Sequence, residues 1–147
     1  MSIERISLFV STLCNIGNIK IAPGTIASLA TVFFWWLLMP LTFEYKFFIL
    51  IFLLIISVVA IHYSLNLFYE DDPQNIVIDE FIGMSIPMIF IIENILLSLV
   101  AFIIFRFLDI LKPSFVYYSQ VCKGTLGILL DDIISGFLTL LILMHYL

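Results

Sequence analysis

Charge is what this sequence has least of. Only 12 % of its 147 residues are Asp, Glu, Lys or Arg, against 63 % hydrophobic, and the mean hydropathy is +1.23. A water-soluble domain of this length needs a polar surface that so few charges cannot supply. The long apolar runs therefore indicate a polytopic membrane protein. Six Lys and Arg leave no basic patch, which excludes nucleic acid as a partner. Cysteine is equally scarce: Cys14 and Cys122 match no metal or redox spacing and read as reduced thiols. Internal repeats and low-complexity stretches are missing too. The opening "MSIERISLFVSTLCNIGN" has no small-residue cleavage site and is expected to be retained.

What is present is a series of five apolar segments, at 26–43, 47–68, 76–92, 95–111 and 125–147. The segment before them, 6–21, is apolar with polar breaks and suits an interfacial or re-entrant stretch. Segments three and four are short, since 17 residues of helix rise roughly 25 Å. Fusing them into one span would bury Glu93 mid-membrane at about 3 kcal/mol or more. A tight hairpin at Glu93–Asn94 avoids that cost and is the reading favoured here. With a cytoplasmic N-terminus, Arg5, Lys20, Arg106, Lys112 and Lys123 fall inside and Lys46 alone falls outside. The expectation is an all-α polytopic membrane protein, one domain over residues 1–147, with about four to five transmembrane or re-entrant helices.

That topology gathers acids on one side. Asp79, Glu80, Asp109, Asp131 and Asp132 sit in or beside apolar runs, and all five fall at predicted cytoplasmic helix ends. Four stretches carry them or flank them. In "APGTIASLA", Pro23-Gly24 breaks the chain and Thr25 can cap a helix whose free N–H groups suit a phosphate. In "NIVIDEFIGM", Gly83 lies one turn beyond Asp79 and admits a close neighbouring helix. In "FRFLDILKP", Arg106 and Asp109 are i,i+3 neighbours, and an ordinary ion pair accounts for them equally well. In "GTLGILLDDIISG", Gly124, Gly127 and Asp131 share a face, and Gly136 sits a turn beyond Asp132.

A lone acid at a helix end is usually a solvated cap. Adjacent carboxylates within a span repel one another, and a divalent cation removes that penalty. Mg²⁺ prefers oxygen ligands and retains waters, which fits a site open to the cytoplasm. Carboxylates that hold a metal, beside a phosphate-suited helix end, point to phosphoryl chemistry at a membrane surface. Lys20, Arg106 or Lys112 can neutralise the phosphate. Direct attack by water and a carboxylate nucleophile both remain open. Cys122 is followed by "KGTLGI", with no Arg for a cysteine-dependent phosphatase, and His62 and His145 lie too far apart for a histidine pair. His62 reads as a packed or interfacial residue. Two other classes share the acidic cluster: a cation carrier, which predicts acids spread through the membrane depth, and a lipid-holding scaffold.

Together "PGTIAS" at 23–28, "DDPQNIVIDEFIGM" at 71–84, "FRFLDILKP" at 105–113 and "GTLGILLDDIISG" at 124–136 resemble the phosphatidylglycerophosphatase A family of bacterial membrane lipid phosphatases. The resemblance implies Mg²⁺-dependent removal of the terminal phosphate of phosphatidylglycerophosphate, at the cytoplasmic face of the inner membrane. It carries the family's catalytic and metal-binding acids to Asp79, Glu80, Asp109, Asp131 and Asp132. The phosphate-binding element carries over to Pro23, Gly24, Thr25 and Ser28, with Ala27 where the family commonly has glycine. Arg106 and Lys112 are the expected substrate-binding cations.

Overall fold

Proline and asparagine set where the helices begin and end. The computed structural model describes residues 3–68, 73–111 and 124–146, and all regular structure among them is helical. Helix α1 spans Ile3–Ser11, followed by a 3-10 turn at Ile16–Asn18. Helix α2 spans Pro23–Leu37, α3 Phe43–Leu65, α4 Ile78–Ile91, α5 Ile95–Leu111 and α6 Thr125–Tyr146.

Helix α2 starts three residues before the expected segment because Pro23, lacking an N–H, suits the first helical position. It stops at Leu37, short of the expected Phe43, where Pro40 forbids continuation. Helix α3 takes up the chain at Phe43 and carries Lys46 inside its first turns. The hairpin between segments three and four is present: α4 ends at Ile91 and α5 begins at Ile95. Asn94 enforces the break, its Oδ1 accepting the N–H groups of Leu96 at 3.0 Å and Leu97 at 3.2 Å. Glu93 is exposed at the turn rather than buried in a fused helix.

Helix α4 is the centre of the bundle. Twelve of its fourteen residues are buried, and it packs against α2, α3, α5 and α6. Its all-round apolar sequence, "IDEFIGMSIPMIFI", has no polar face to offer solvent, so it must be enclosed. Met84, Met88, Ile89 and Ile92 meet Trp35 of α2, Phe105 of α5, and Leu140 and Leu143 of α6 in the main apolar cluster. Trp35 is wholly buried, and its Nε1–H donates to Ser85 Oγ at 2.8 Å. Most buried hydroxyls instead donate within their own helix, as Ser28 does to Gly24 O, Thr31 to Ala27 O, Ser135 to Asp131 O and Thr139 to Ser135 O.

The outer faces are apolar as well: Phe48, Phe52, Ile103 and Phe107 all stand exposed. Phe43–Leu65 and Thr125–His145 are long and apolar enough to cross a membrane, and α2 is a shorter apolar helix.

Candidate metal and phosphate site

Antiparallel connections bring the start of α2, the start of α4, the end of α5 and the start of α6 to one end of the bundle. A cavity of about 240 Å³ opens there, lined by Pro23, Gly24, Pro73, Gln74, Ile76, Asp79, Glu80, Asp109, Asp131 and Asp132. All five acids singled out in the sequence thus face one space. The opposite end carries the α3 start and the α4–α5 turn, where the Phe43 and Phe90 rings meet tilted at 50°, with 5.2 Å between centroids.

Three of the acids form a tighter group. Carboxylate oxygens of Asp79, Glu80 and Asp132 lie within 4.8 Å of one another. Asp79 Oδ1, Glu80 Oε2 and Asp132 Oδ1 are buried and accept no hydrogen bond from the described residues. Buried anions without donors are unstable unless a cation completes them, and an all-oxygen set suits a hard divalent ion. The residues therefore fit a metal. Asp109 and Asp131 line the same cavity outside this trio. Asp109 is engaged by Arg106, whose Nη1 donates to Oδ2 at 2.6 Å, and Asp131 Oδ1 accepts the Asp132 N–H at 3.2 Å.

Glycines make the trio possible. A Cβ at Gly83 would stand 2.5 Å from the Asp132 carbonyl oxygen and 2.9 Å from Asp132 Cβ, so only glycine lets α6 press its acid against α4. The contact is reciprocal, since a Cβ at Gly136 would strike the Gly83 carbonyl. Pro87, four residues on, has no N–H to give that carbonyl, which leaves it turned to Gly136. On the α2 side, a Cβ at Gly24 would strike Glu80 Oε1 and come within 3.3 Å of Arg106 Nη1. The α2 N-terminus, Glu80 and Arg106 are thus mutual neighbours.

The helix cap differs from expectation. Ala22, in the left-handed region at φ 46°, ψ 56°, precedes α2, and no side chain caps it. Thr25 is the third helical residue, not the cap, because Pro23 already occupies the first position. The N–H groups of Gly24 and Thr25 precede the first intrahelical bond, from Ile26 N–H to Ala22 O at 3.2 Å. Ser28 turns inward, donating to Gly24 O at 2.9 Å, and does not line the cavity. Neither Thr25 nor Arg106 lines it by side chain, although Arg106 approaches through Asp109 and Gly24. Lys112, Pro113, Cys122, Lys123 and the Asp71–Asp72 stretch lie outside the described residues.

A family model described as Phosphatidylglycerophosphatase A matches residues 9–147. The chain belongs to the phosphatidylglycerophosphatase A family. It is similar to Phosphatidylglycerophosphatase A of Escherichia coli, with 34 % identity over 122 residues, covering 82 % of this chain and 71 % of that protein. It is also 34 % identical over 71 residues to a Bacteroides thetaiotaomicron protein named as a candidate phosphatidylinositol-3-phosphatase, covering 46 % of this chain and 45 % of the relative. No solved structure matches. Pro73, Gln74 and Ile76, which lie in the "DDPQNIVIDEFIGM" stretch but were not singled out as site residues, join the acids in the cavity wall.

Proposed function

We propose that this protein hydrolyses the terminal phosphomonoester of phosphatidylglycerophosphate to phosphatidylglycerol and inorganic phosphate. It does so as a multi-pass protein of the bacterial cytoplasmic membrane, with the cavity facing the cytoplasm. The observation that carries this reading is the buried Asp79–Glu80–Asp132 trio, with three oxygens that no donor among the described residues satisfies, beside the N-terminus of α2.

Asp79, Glu80 and Asp132 are the residues that would hold Mg²⁺. When bound, such an ion supplies positive charge and Lewis acidity to a phosphoryl oxygen. The chain does the rest by placement. The free N–H groups of Gly24 and Thr25, with the positive end of the α2 dipole, bind the phosphate oxygens. Arg106 adds positive charge beside them and holds Asp109 in place. Asp131 lines the same cavity, and we assign it the proton of the attacking water. In the balanced step the water oxygen bonds to phosphorus, the bond from phosphorus to the glycerol oxygen breaks, and that oxygen takes a proton. The wall of exposed aromatic and aliphatic side chains suits acyl chains that remain in the bilayer. The five basic residues assigned inside, against Lys46 outside, support the cytoplasmic orientation.

The test is phosphate release from phosphatidylglycerophosphate by purified protein, with Mg²⁺ and after chelation. Release that survives chelation refutes the metal assignment, and absence of release refutes the substrate. Parallel assays on phosphatidate and phosphatidylinositol 3-phosphate measure how far the headgroup is discriminated.

A further inference from the structure

Asp79 and Glu80 are the second and third residues of α4, so their position depends on what holds the chain entering that helix. Residues 73–77 are fixed from outside by the N-terminal stretch. The Val77 N–H, buried at the α4 cap, donates to the Ser11 carbonyl at 3.0 Å. Asn75 Nδ2–H donates to Asn18 Oδ1 at 2.9 Å, and Asn18 in turn donates from its own Nδ2 to Asn15 Oδ1 at 3.0 Å. The Asn75 carbonyl fills the space in which any Gly17 side chain would begin. Gly17 is buried there, so it has nowhere to yield.

Reaching Asn75 and Val77 from both Ser11 and Gly17 requires a tight reversal. The chain makes it through Leu13, Cys14 and Asn15, with φ of 46°, 55° and 73°. Asparagine visits this left-handed region readily, but Leu13 and Cys14 each cost about 1–2 kcal/mol there. Such strain persists only where the surroundings impose it. Here it delivers Gly17 to the backbone that carries Pro73, Gln74 and Ile76 into the cavity wall.

We propose that Ser11–Asn18 is a brace for the acidic site, with Gly17 and Asn18 as positioning residues for Asp79 and Glu80. They act through Asn75 and touch neither the metal nor the substrate. The activity arm of the test rests on the lipid-phosphatase reading, whereas the metal-binding arm does not.

The experiment compares wild-type protein with Gly17→Ala, Asn18→Ala and Asn18→Asp. It measures Mn²⁺ binding to substrate-free protein by electron paramagnetic resonance, kcat and KM for phosphate release, and helix content by circular dichroism. Gly17→Ala is expected to weaken Mn²⁺ binding and lower kcat by roughly tenfold or more, the scale of supporting-shell effects, with helix content and KM little changed. Asn18→Ala removes two exposed side-chain bonds, to Asn75 and to Asn15, and keeps its fold, and it should lower both by about threefold. Asn18→Asp retains the acceptor for Asn75 but loses the donor to Asn15 Oδ1, so it should fall between wild type and Asn18→Ala. Wild-type Mn²⁺ binding in Gly17→Ala and Asn18→Ala overturns the proposal, as does an Asn18→Asp protein as impaired as Asn18→Ala. If Gly17→Ala does not fold, the two Asn18 variants decide. A wild-type protein inert towards the lipid, with Mn²⁺ binding still weakened in the variants, refutes the lipid reading and supports the brace.

Discussion

Substituting Gly83 by alanine probes whether the α4–α6 crossing sets the metal site. The added methyl would stand 2.5 Å from the Asp132 carbonyl oxygen, where ordinary contact begins at 3.4 Å, a shortfall of 3.4 − 2.5 = 0.9 Å. Both sides of the clash are helix backbone, so no rotamer change relieves it and the two helices must part by a comparable amount. Asp132 rides on α6 and Asp79 and Glu80 on α4, so the trio opens with the crossing. A metal shell tolerates displacements of only about 0.2 Å. We expect the rate of phosphate release to fall by about 100-fold and the Mg²⁺ concentration for half-maximal activity to rise. Overpacking should also cost about 1–3 kcal/mol of stability, visible as a lower midpoint in thermal unfolding. Gly136→Ala should reproduce both effects, because its methyl meets the Gly83 carbonyl. A Gly83→Ala protein with wild-type rate and Mg²⁺ requirement would refute the reasoning.

Asp132→Asn removes one member of the trio and should reduce phosphate release by on the order of 100-fold, while the metal-free protein gains thermal stability from the lost repulsion; a melt without Mg²⁺ checks the second part. Ser85→Ala strands the buried Trp35 N–H and should cost about 1–3 kcal/mol, whereas Trp35→Phe leaves Ser85 still bonded to Phe81 O and should lose about 1 kcal/mol from that bond, plus packing. Chemical denaturation or thermal scans in one detergent rank the two. Asn94→Ala deletes the α5 cap and should cost about 1 kcal/mol without changing kcat, since the turn lies at the end away from the acids. Labelling of Glu93→Cys from outside intact cells is expected, and failure to label places that turn elsewhere.

The helices and the gathering of the acids were legible because both depend on local pattern. Apolar runs gave the segments, Asn94 beside Glu93 gave the break, and alternating helix direction brought Asp79, Glu80, Asp109, Asp131 and Asp132 to one end. Pro23 was a readable signal for the α2 start, yet Thr25 drew the cap assignment because its side chain is the better capper. The structure sorts the five acids into a trio, an Arg106 partner and Asp131, a distinction that spacing along one helix cannot encode. Gly17 and Asn75 were illegible for the same reason: their meaning lies in a contact across 58 residues, between two stretches of no periodicity. Trp35 and Ser85 escaped notice likewise, as ordinary members of apolar helices.

The buried hydroxyls have a consequence for how this fold can vary. Ser28, Thr31, Ser135 and Thr139 each satisfy themselves on their own helix. Exchanging such a residue for alanine strands no partner, while adding a methyl at Gly83 or Gly136 forces two helices apart. The interior is therefore permissive in polarity and unforgiving in volume. A library that swaps Ser, Thr and Ala at these depths should stay largely functional, and one that enlarges the crossing glycines should not.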